Sequence, residues 1–432
     1  MRKTIIALLV MVQWHSSTAQ NIGIGTTTPN ASSQLDVAST TKGLLVPRMT
    51  GAQRNAIVSP AIGLLVFQNA PDSIGFHYYN GTSWLWLTTT SQQDTVAWKT
   101  KGNTSLTDNN SFIGTIDSIP LNVKVNNRKA GRIDHILFNS FWGYQAGNAN
   151  TTGQQNTATG MNGLYSNTTG TYNTTTGMNS LWQNTTGSLN SVLGAYSVEN
   201  NITGNNNVGI GTSALRTNVA GNNATAIGTN AMYYSNNTTI SFTNNNVAVG
   251  FEALRGSTTA SANTGNANTA LGYQSLLNNT TGFQNTATGM NGLFSNTTGG
   301  FNTTTGMNSL WLNTTGSLNS SFGAYTFENN VTGNSNAGLG SSALRTNVAG
   351  NNATAVGTNA MYYTNNTATP FTNTNVAVGF EALRGSTTAS ENTGLHNTAL
   401  GYQTLLNNTT GQQNTATGMN GLYANTTGSL NT

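Results

Sequence analysis

The stretch Asn156-Thr-Ala-Thr-Gly-Met-Asn-Gly-Leu164 decides how the rest of the chain is read. It returns unchanged at Asn285 and again at Asn414, a super-repeat of 129 residues. A shorter unit lies inside it. The glycine closing each Thr-Ala-Thr-like triplet recurs at Gly143, Gly160, Gly177, Gly194, Gly211, Gly228, Gly250 and Gly272. The series continues at Gly289, Gly306, Gly323, Gly340, Gly357, Gly379 and Gly401, and a third copy opens at Gly418. The steps are 17 residues, apart from two of 22 in each super-repeat. A register held over sixteen units is architecture, not low complexity.

Every unit has the same grammar around its marker glycine. Four residues before it usually stands Asn, as at Asn156, Asn173, Asn190 and Asn207. Two before it is a small residue such as Ala158 or Ala226, and one before it is often β-branched or Leu, as at Ile210 and Leu271. Four after it comes an apolar residue: Leu164, Leu181, Leu215, Leu254 and Leu276. Most units then turn at an Asn-x-x-Gly, as from Asn167 to Gly170. Runs of Thr, Ala, Val and Ile make short strands. Gly and Asn at fixed offsets are expected to supply the φ > 0 corners. One unit cannot bury its own leucine, but stacked units bury a continuous row.

The fold expected is therefore all-β: a parallel β-solenoid (β-roll) of 17- and 22-residue rungs over residues 138–432, preceded by small β-rich domains. Rungs about 4.8 Å apart would make a rod of roughly 75 Å, with asparagines bonding along the axis. The five extra residues of the longer rungs are expected to bulge as loops, from Tyr233 to Asn244 and from Gly256 to Asn266 in the first copy. The first loop holds Tyr233, Tyr234 and Phe242, a candidate contact loop whose plainer reading is a cover for the solenoid edge.

Composition agrees with a structural role. Charged residues are 6% of the chain, against about 25% in ordinary globular domains. The formal charge is +4, but the pI near 9.2 means little when Arg2 and Lys3 lie in a segment expected to be removed. Met1-Arg2-Lys3-Thr4, the apolar run Ile5 to Val12 and Ser16-Ser17-Thr18-Ala19 read as a signal peptide over residues 1–19. That run is too short to span a bilayer, and no later one is long enough. Cysteine is absent, so stability must come from hydrogen bonding, burial or association. Basic residues cluster only at Lys124, Arg128, Lys129 and Arg132, without interleaved aromatics, which argues against nucleic-acid binding.

Upstream of the solenoid, residues 20–97 read as a β-rich domain and residues 98–137 as a β connector. Strands are expected at Gly63 to Gln68 and Ile74 to Tyr79, with Asn80-Gly81 as a hairpin turn.

The repeat N-T-A-x-G-x-x-x-L-x-x-N-T-T-G resembles the head repeats of trimeric autotransporter adhesins, in which β-rolls of three chains pack around one axis. It is still more similar to the repeats of secreted tail-fibre-domain proteins. That second resemblance extends to Asn21-Ile-Gly-Ile-Gly25, Leu35-Asp-Val37, Lys42-Gly-Leu-Leu-Val-Pro-Arg-Met49, Gly63-Leu-Leu-Val-Phe67 and the block from Phe76 to Trp84. It implies a parallel homotrimer, which the thin core per rung also favours. Proteins of this kind usually end in a coiled coil with an anchor or a chaperone domain. The sequence stops at Leu430-Asn-Thr432, where the next unit should begin, and so reads as a fragment.

Chemistry-bearing constellations are missing from the sequence. His15, His77, His135 and His396 lie far apart without acidic residues at ligand spacing, and no Asp follows Asp134 to supply calcium rungs. Gly23-Ile-Gly25 and Gly209-Ile-Gly211 open no helix, as a dinucleotide site requires. Glu252 and Arg255, repeated at Glu381 and Arg384, read as surface ion pairs. Paired-threonine rungs such as Thr157/Thr159 and Thr174/Thr176 number two in seven, too few for an ice-binding face. The expectation is a secreted or surface-displayed, non-catalytic fibre, an adhesin stalk or head without cofactor or metal. Its partners would be its own copies and a surface glycan or protein receptor. The alternative is the receptor-binding tail fibre of a phage-like or injection particle, against which the signal peptide counts.

Overall fold

The computed structural model describes residues 21–70, 73–87 and 112–432. The expected signal peptide and residues 98–111 of the expected connector lie outside the described residues. The chain divides into two compact units, Met1–Ile113 and Gly114–Thr432.

In the first unit, β1 (Ile22–Ile24) pairs in parallel with β2 (Leu35–Val37). A four-stranded sheet follows in the order β3 (Arg48–Met49), β4 (Leu65–Gln68), β5 (Gly75–Tyr79) and β6 (Trp84–Trp86). The short helix α1 (Gly51–Asn55) was not expected. Thr50 and Gln53 cap it reciprocally, a box that the Thr-x-x-Gln spacing spells out. Asn80-Gly81 does turn the β5–β6 hairpin, but as part of a four-residue loop. Asn80 Oδ1 accepts from the Thr82 and Ser83 amides at 2.9 and 2.8 Å, while Asn80 N–H donates to Ser83 O. Among the described residues little of the unit is interior. Val66 and His77 are buried, whereas Leu44, Leu45, Val58 and Ile62 are each more than 60% exposed.

The second unit opens with β7 (Leu121–Val125) and β8 (Arg128–Asp134), an antiparallel hairpin. Asn126 and Asn127 take φ 46° and 56° between them, the two left-handed residues that a tight hairpin turn demands. β8 then pairs antiparallel with β9 (Asn139–Trp142), and β9 pairs in parallel with β10 (Thr157–Thr159). From there the chain is a parallel ladder, one three-residue strand per rung, each followed by a marker glycine through Thr415–Thr417. The 17-residue spacing is met in the pairing itself: Thr157 faces Thr174, which faces Ser191. The β7–β8 hairpin covers the strand edge of the first rung, which would otherwise be open to pairing.

Two rows fill the interior. The small residue two before the marker is buried at Ala158, Ala226, Ala248 and Ala270, and so is the apolar residue four after it. The rows trade volume. Phe141 occupies the first rung because the other row there is Gly147, whose Cβ would stand 2.4 Å from the ring. Likewise Phe327 fills the space above Gly338, where a Cβ would lie 2.8 Å away. The residue just before the marker, such as Leu193 or Ile210, points outward instead.

Asparagine makes two further rows. Asn173 Nδ2 donates to Asn156 Oδ1 at 3.2 Å and Asn190 Nδ2 to Asn173 Oδ1 at 3.0 Å. In the turn row, Asn167 bonds to Asn150 and Asn184 to Asn167, each at 2.8 Å. Asn156, Asn167, Asn173, Asn184 and Asn190 are fully buried, and a buried amide is stable only when its bonds are made.

The corners meet the expectation in part. The marker glycine is left-handed, as at Gly160 with φ 116°, and so is Asn162. The core leucine itself also turns, at φ 51° in Leu164 and 53° in Leu215, as does Tyr172 at 58°. An L-residue there costs about 1–2 kcal/mol, offset at Leu164 and Leu215 by burying the side chain and bonding its amide to the next rung. The turn glycine Gly170 serves a different need: a Cβ on it would meet Gly187 O at 2.3 Å. It is glycine for space.

Candidate functional site

The solenoid concentrates its few charges. Of four arginines and five glutamates after Gly143, all but Glu391 fall into two equivalent clusters. Arg216 Nε donates to Glu199 Oε2 at 2.6 Å, and Arg216 Nη1 donates to Tyr233 Oη at 2.7 Å. Its guanidinium lies 5.5 Å from the Tyr196 ring centre and 5.6 Å from that of Tyr233. The second copy repeats this with Arg345, Glu328, Tyr325 and Tyr362. Burial opposes the charge on Arg216, but the Glu199 carboxylate and the Tyr233 hydroxyl outweigh it, raising the guanidinium above its ordinary value. Glu199, Arg216 and Tyr233 each stand five residues after a marker, so the rung register brings them together. That shared offset is legible in the sequence.

Two rungs along, Glu252 pairs with Arg255 at 3.2 Å and accepts from Gln274 Nε2 at 2.8 Å. Glu381, Arg384 and Gln403 match them. In the second copy an open cleft of about 370 Å³ runs between these groups, lined by Ser342, Arg345, Asn359, Tyr362, Tyr363, Glu381 and Arg384. Each of the four clustered carboxylates is engaged by an arginine. Among the described residues no three His, Cys, Asp or Glu side chains gather to hold a metal, and Asp134 bonds to Arg132, Ile136 and Leu137.

The rung residues singled out in the sequence lie as follows. Asn156, Leu164, Leu181, Leu215 and Leu276 are fully buried and Leu254 is 7% exposed. Gly160, Gly177, Gly194, Gly211, Gly228, Gly250 and Gly272 are all left-handed, with φ from 116° to 139°. The candidate contact loop lies back on the rod over much of its length. Phe242–Thr243 pairs in parallel with Gly221–Asn222, and a Cβ on Gly221 would stand 2.6 Å from the Phe242 ring. Tyr233 is held by Arg216, and its ring meets that of Tyr234 edge-on at 4.6 Å. Ile240 stands out, 76% exposed.

The loop has a structural task too. Ala224 replaces asparagine in the inner row, so the next rung's Asn246 finds no Oδ1 on the rung before. The longer rung brings in Asn244, whose Oδ1 accepts from Asn246 N at 3.3 Å and Asn246 Nδ2 at 2.7 Å. Asn373 does the same for Asn375.

No curated protein matches the chain, and no helix among the described residues is long and apolar enough to cross a membrane. Residues 23–105 match the family described as the phage tail like trimerisation region. With that region ahead of a β-solenoid of stacked rungs, the chain fits a tail-fibre-like repeat protein.

Proposed function

We propose that the chain is a structural fibre that works as a parallel homotrimer outside the cell, an adhesin stalk or head without catalytic activity. The observation that carries this reading is the pairing of a trimerisation-type region at residues 23–105 with a rod of stacked rungs. The exposed Leu44, Leu45, Val58 and Ile62 support it, since apolar side chains of that size seek cover from another chain. The clusters around Arg216 and Arg345 are the candidate receptor contacts, offering tyrosine faces and polar atoms to a surface glycan or protein. Sedimentation equilibrium of the secreted protein tests the assembly. A trimer at micromolar concentration is expected, and a monomer would overturn it.

The family description favours a second reading, the receptor-binding fibre of a phage-like or injection particle. Amino-terminal sequencing of the native protein separates the two. A mature start near Gln20 fits export by signal peptide, whereas an intact Met1 on particle-associated protein supports the particle fibre.

A further inference from the structure

The strand of each rung alternates, so the residue just before the marker glycine points away from the core on the flat face of the ladder. In five consecutive rungs that residue is apolar: Leu193, Ile210, Ile227, Val249 and Leu271. Their Cα atoms are paired in register from rung to rung, so they form one straight row. Leu193 is 52% exposed and Leu271 46%. Val208 and Val247 widen the row from the other outward position of their strands. Two rungs of threonine follow, Thr286/Thr288 and Thr303/Thr305. Then the pattern repeats with Phe322, Leu339, Val356, Val378 and Leu400.

Neither patch contains a charge, although nine charged residues lie elsewhere on the same rungs. An apolar row of this length, exposed at Leu193, Ile210 and Leu271 and half-buried between them at Ile227 and Val249, marks an association surface. We infer that this sheet face is the seam along which copies of the same chain pack in parallel. The inference rests on the trimer proposed above and names its interface. The occupant follows from the chain itself: residues 23–105 match a trimerisation-type region, and in the trimer proposed above each chain presents the same row to its neighbours.

The pattern also sets the stagger. Sliding one chain by one to six rungs lays threonine rungs against apolar ones. Sliding it by seven, one super-repeat, restores the match for only one of the two patches. The in-register assembly therefore covers the most apolar surface.

The full-length chain has no cysteine, which makes the test direct. Leu271→Cys and Leu400→Cys, one super-repeat apart, are prepared with tags of different size, with Thr298→Cys in an exposed turn as control. Mixed, oxidised or treated with a short bismaleimide, the two should give 271–271 and 400–400 links, while 271–400 links and Thr298 links stay at background. Links between 271 and 400 at equal yield would overturn the in-register stagger. In parallel, Ile210→Lys with Leu271→Lys should keep the β circular-dichroism spectrum, since both side chains are exposed in the single chain, and lower the trimer fraction at least tenfold. A trimer that persists unchanged and yields no stripe links sinks the seam but leaves the trimer standing. A wild-type monomer sinks the trimer itself.

Discussion

At the scale of the residue, the rod depends on side chains that stack with copies of themselves. Leu215 is fully buried and left-handed. Leu215→Ala should cost about 2–5 kcal/mol for the cavity, and Leu215→Asp more, since a carboxylate there has no counter-charge. Thermal melts of both variants would check the order. A finer case lies in the turn row. Asn218 Oδ1 accepts from Ser235 Oγ at 3.3 Å, but in the second copy Thr364 bonds to Met361 O, and Asn347 Oδ1 is left without a partner. Thr364→Ser should restore the missing bond and stabilise the chain by about 1 kcal/mol. Asn244→Ala should do the reverse, costing about 1–3 kcal/mol by stranding two donors of Asn246. Equal melting curves for wild type and Thr364→Ser would refute the first of these.

At the scale of the element, the unit is the rung, and each rung touches only its neighbours. Deleting residues 161–177 joins Gly160 to Met178 and leaves the grammar intact, so the β spectrum and a cooperative melt should survive. Deleting 161–170 breaks the register by a fraction of a rung and should unfold the neighbouring rungs, read as new protease sites. The β7–β8 cap is the other critical element. Asp134 accepts two bonds from Arg132, at 3.1 and 2.8 Å, and one each from the amides of Ile136 and Leu137 at 3.1 Å. Burial would raise the carboxyl pKa, yet the Arg132 and amide bonds outweigh it and hold it below the ordinary value. A depressed folded-state pKa gives stability that is complete above the unfolded value of about 3.9 and is lost as pH falls through the folded one. The gap between wild type and Asp134→Asn should thus be constant at neutral pH and close only under acid, below about pH 4. A gap that widens on acidification would contradict this.

At the scale of the whole molecule, the balance shifts from apolar burial to hydrogen bonding. Each rung hides one large apolar side chain and one small one, worth about 2 kcal/mol for a leucine, while ordering a 17-residue rung opposes folding many times over. The remainder falls on the backbone ladder, the asparagine rows and contact between chains. Circular dichroism of the intact protein should be β in character with little helix, and a predominantly helical or coil spectrum would defeat the fold. Because stability also draws on association, the melting temperature should rise with protein concentration. A concentration-independent melt would show the single rod to be self-sufficient.

The sequence by itself determined the rung. Its period, the inward rows at Ala158 and Leu164 and the asparagine ladder through Asn156 were legible because every stacked unit must place the same residue at the same height. Translation along one axis turns spacing in the chain directly into contact in space. Three things were left to the tertiary structure. The left-handed turn at Leu164 could not be read from propensity, which places Gly or Asn there, because it is set by the need to aim the side chain at the axis. The task of the 22-residue rungs appeared only when Asn244 was seen to supply the oxygen that Ala224 lacks. The outward direction of Leu193 to Leu271 depended on which side of each strand the solenoid closes, and an alternating pattern alone does not choose between a face turned to the core and one turned to a neighbour.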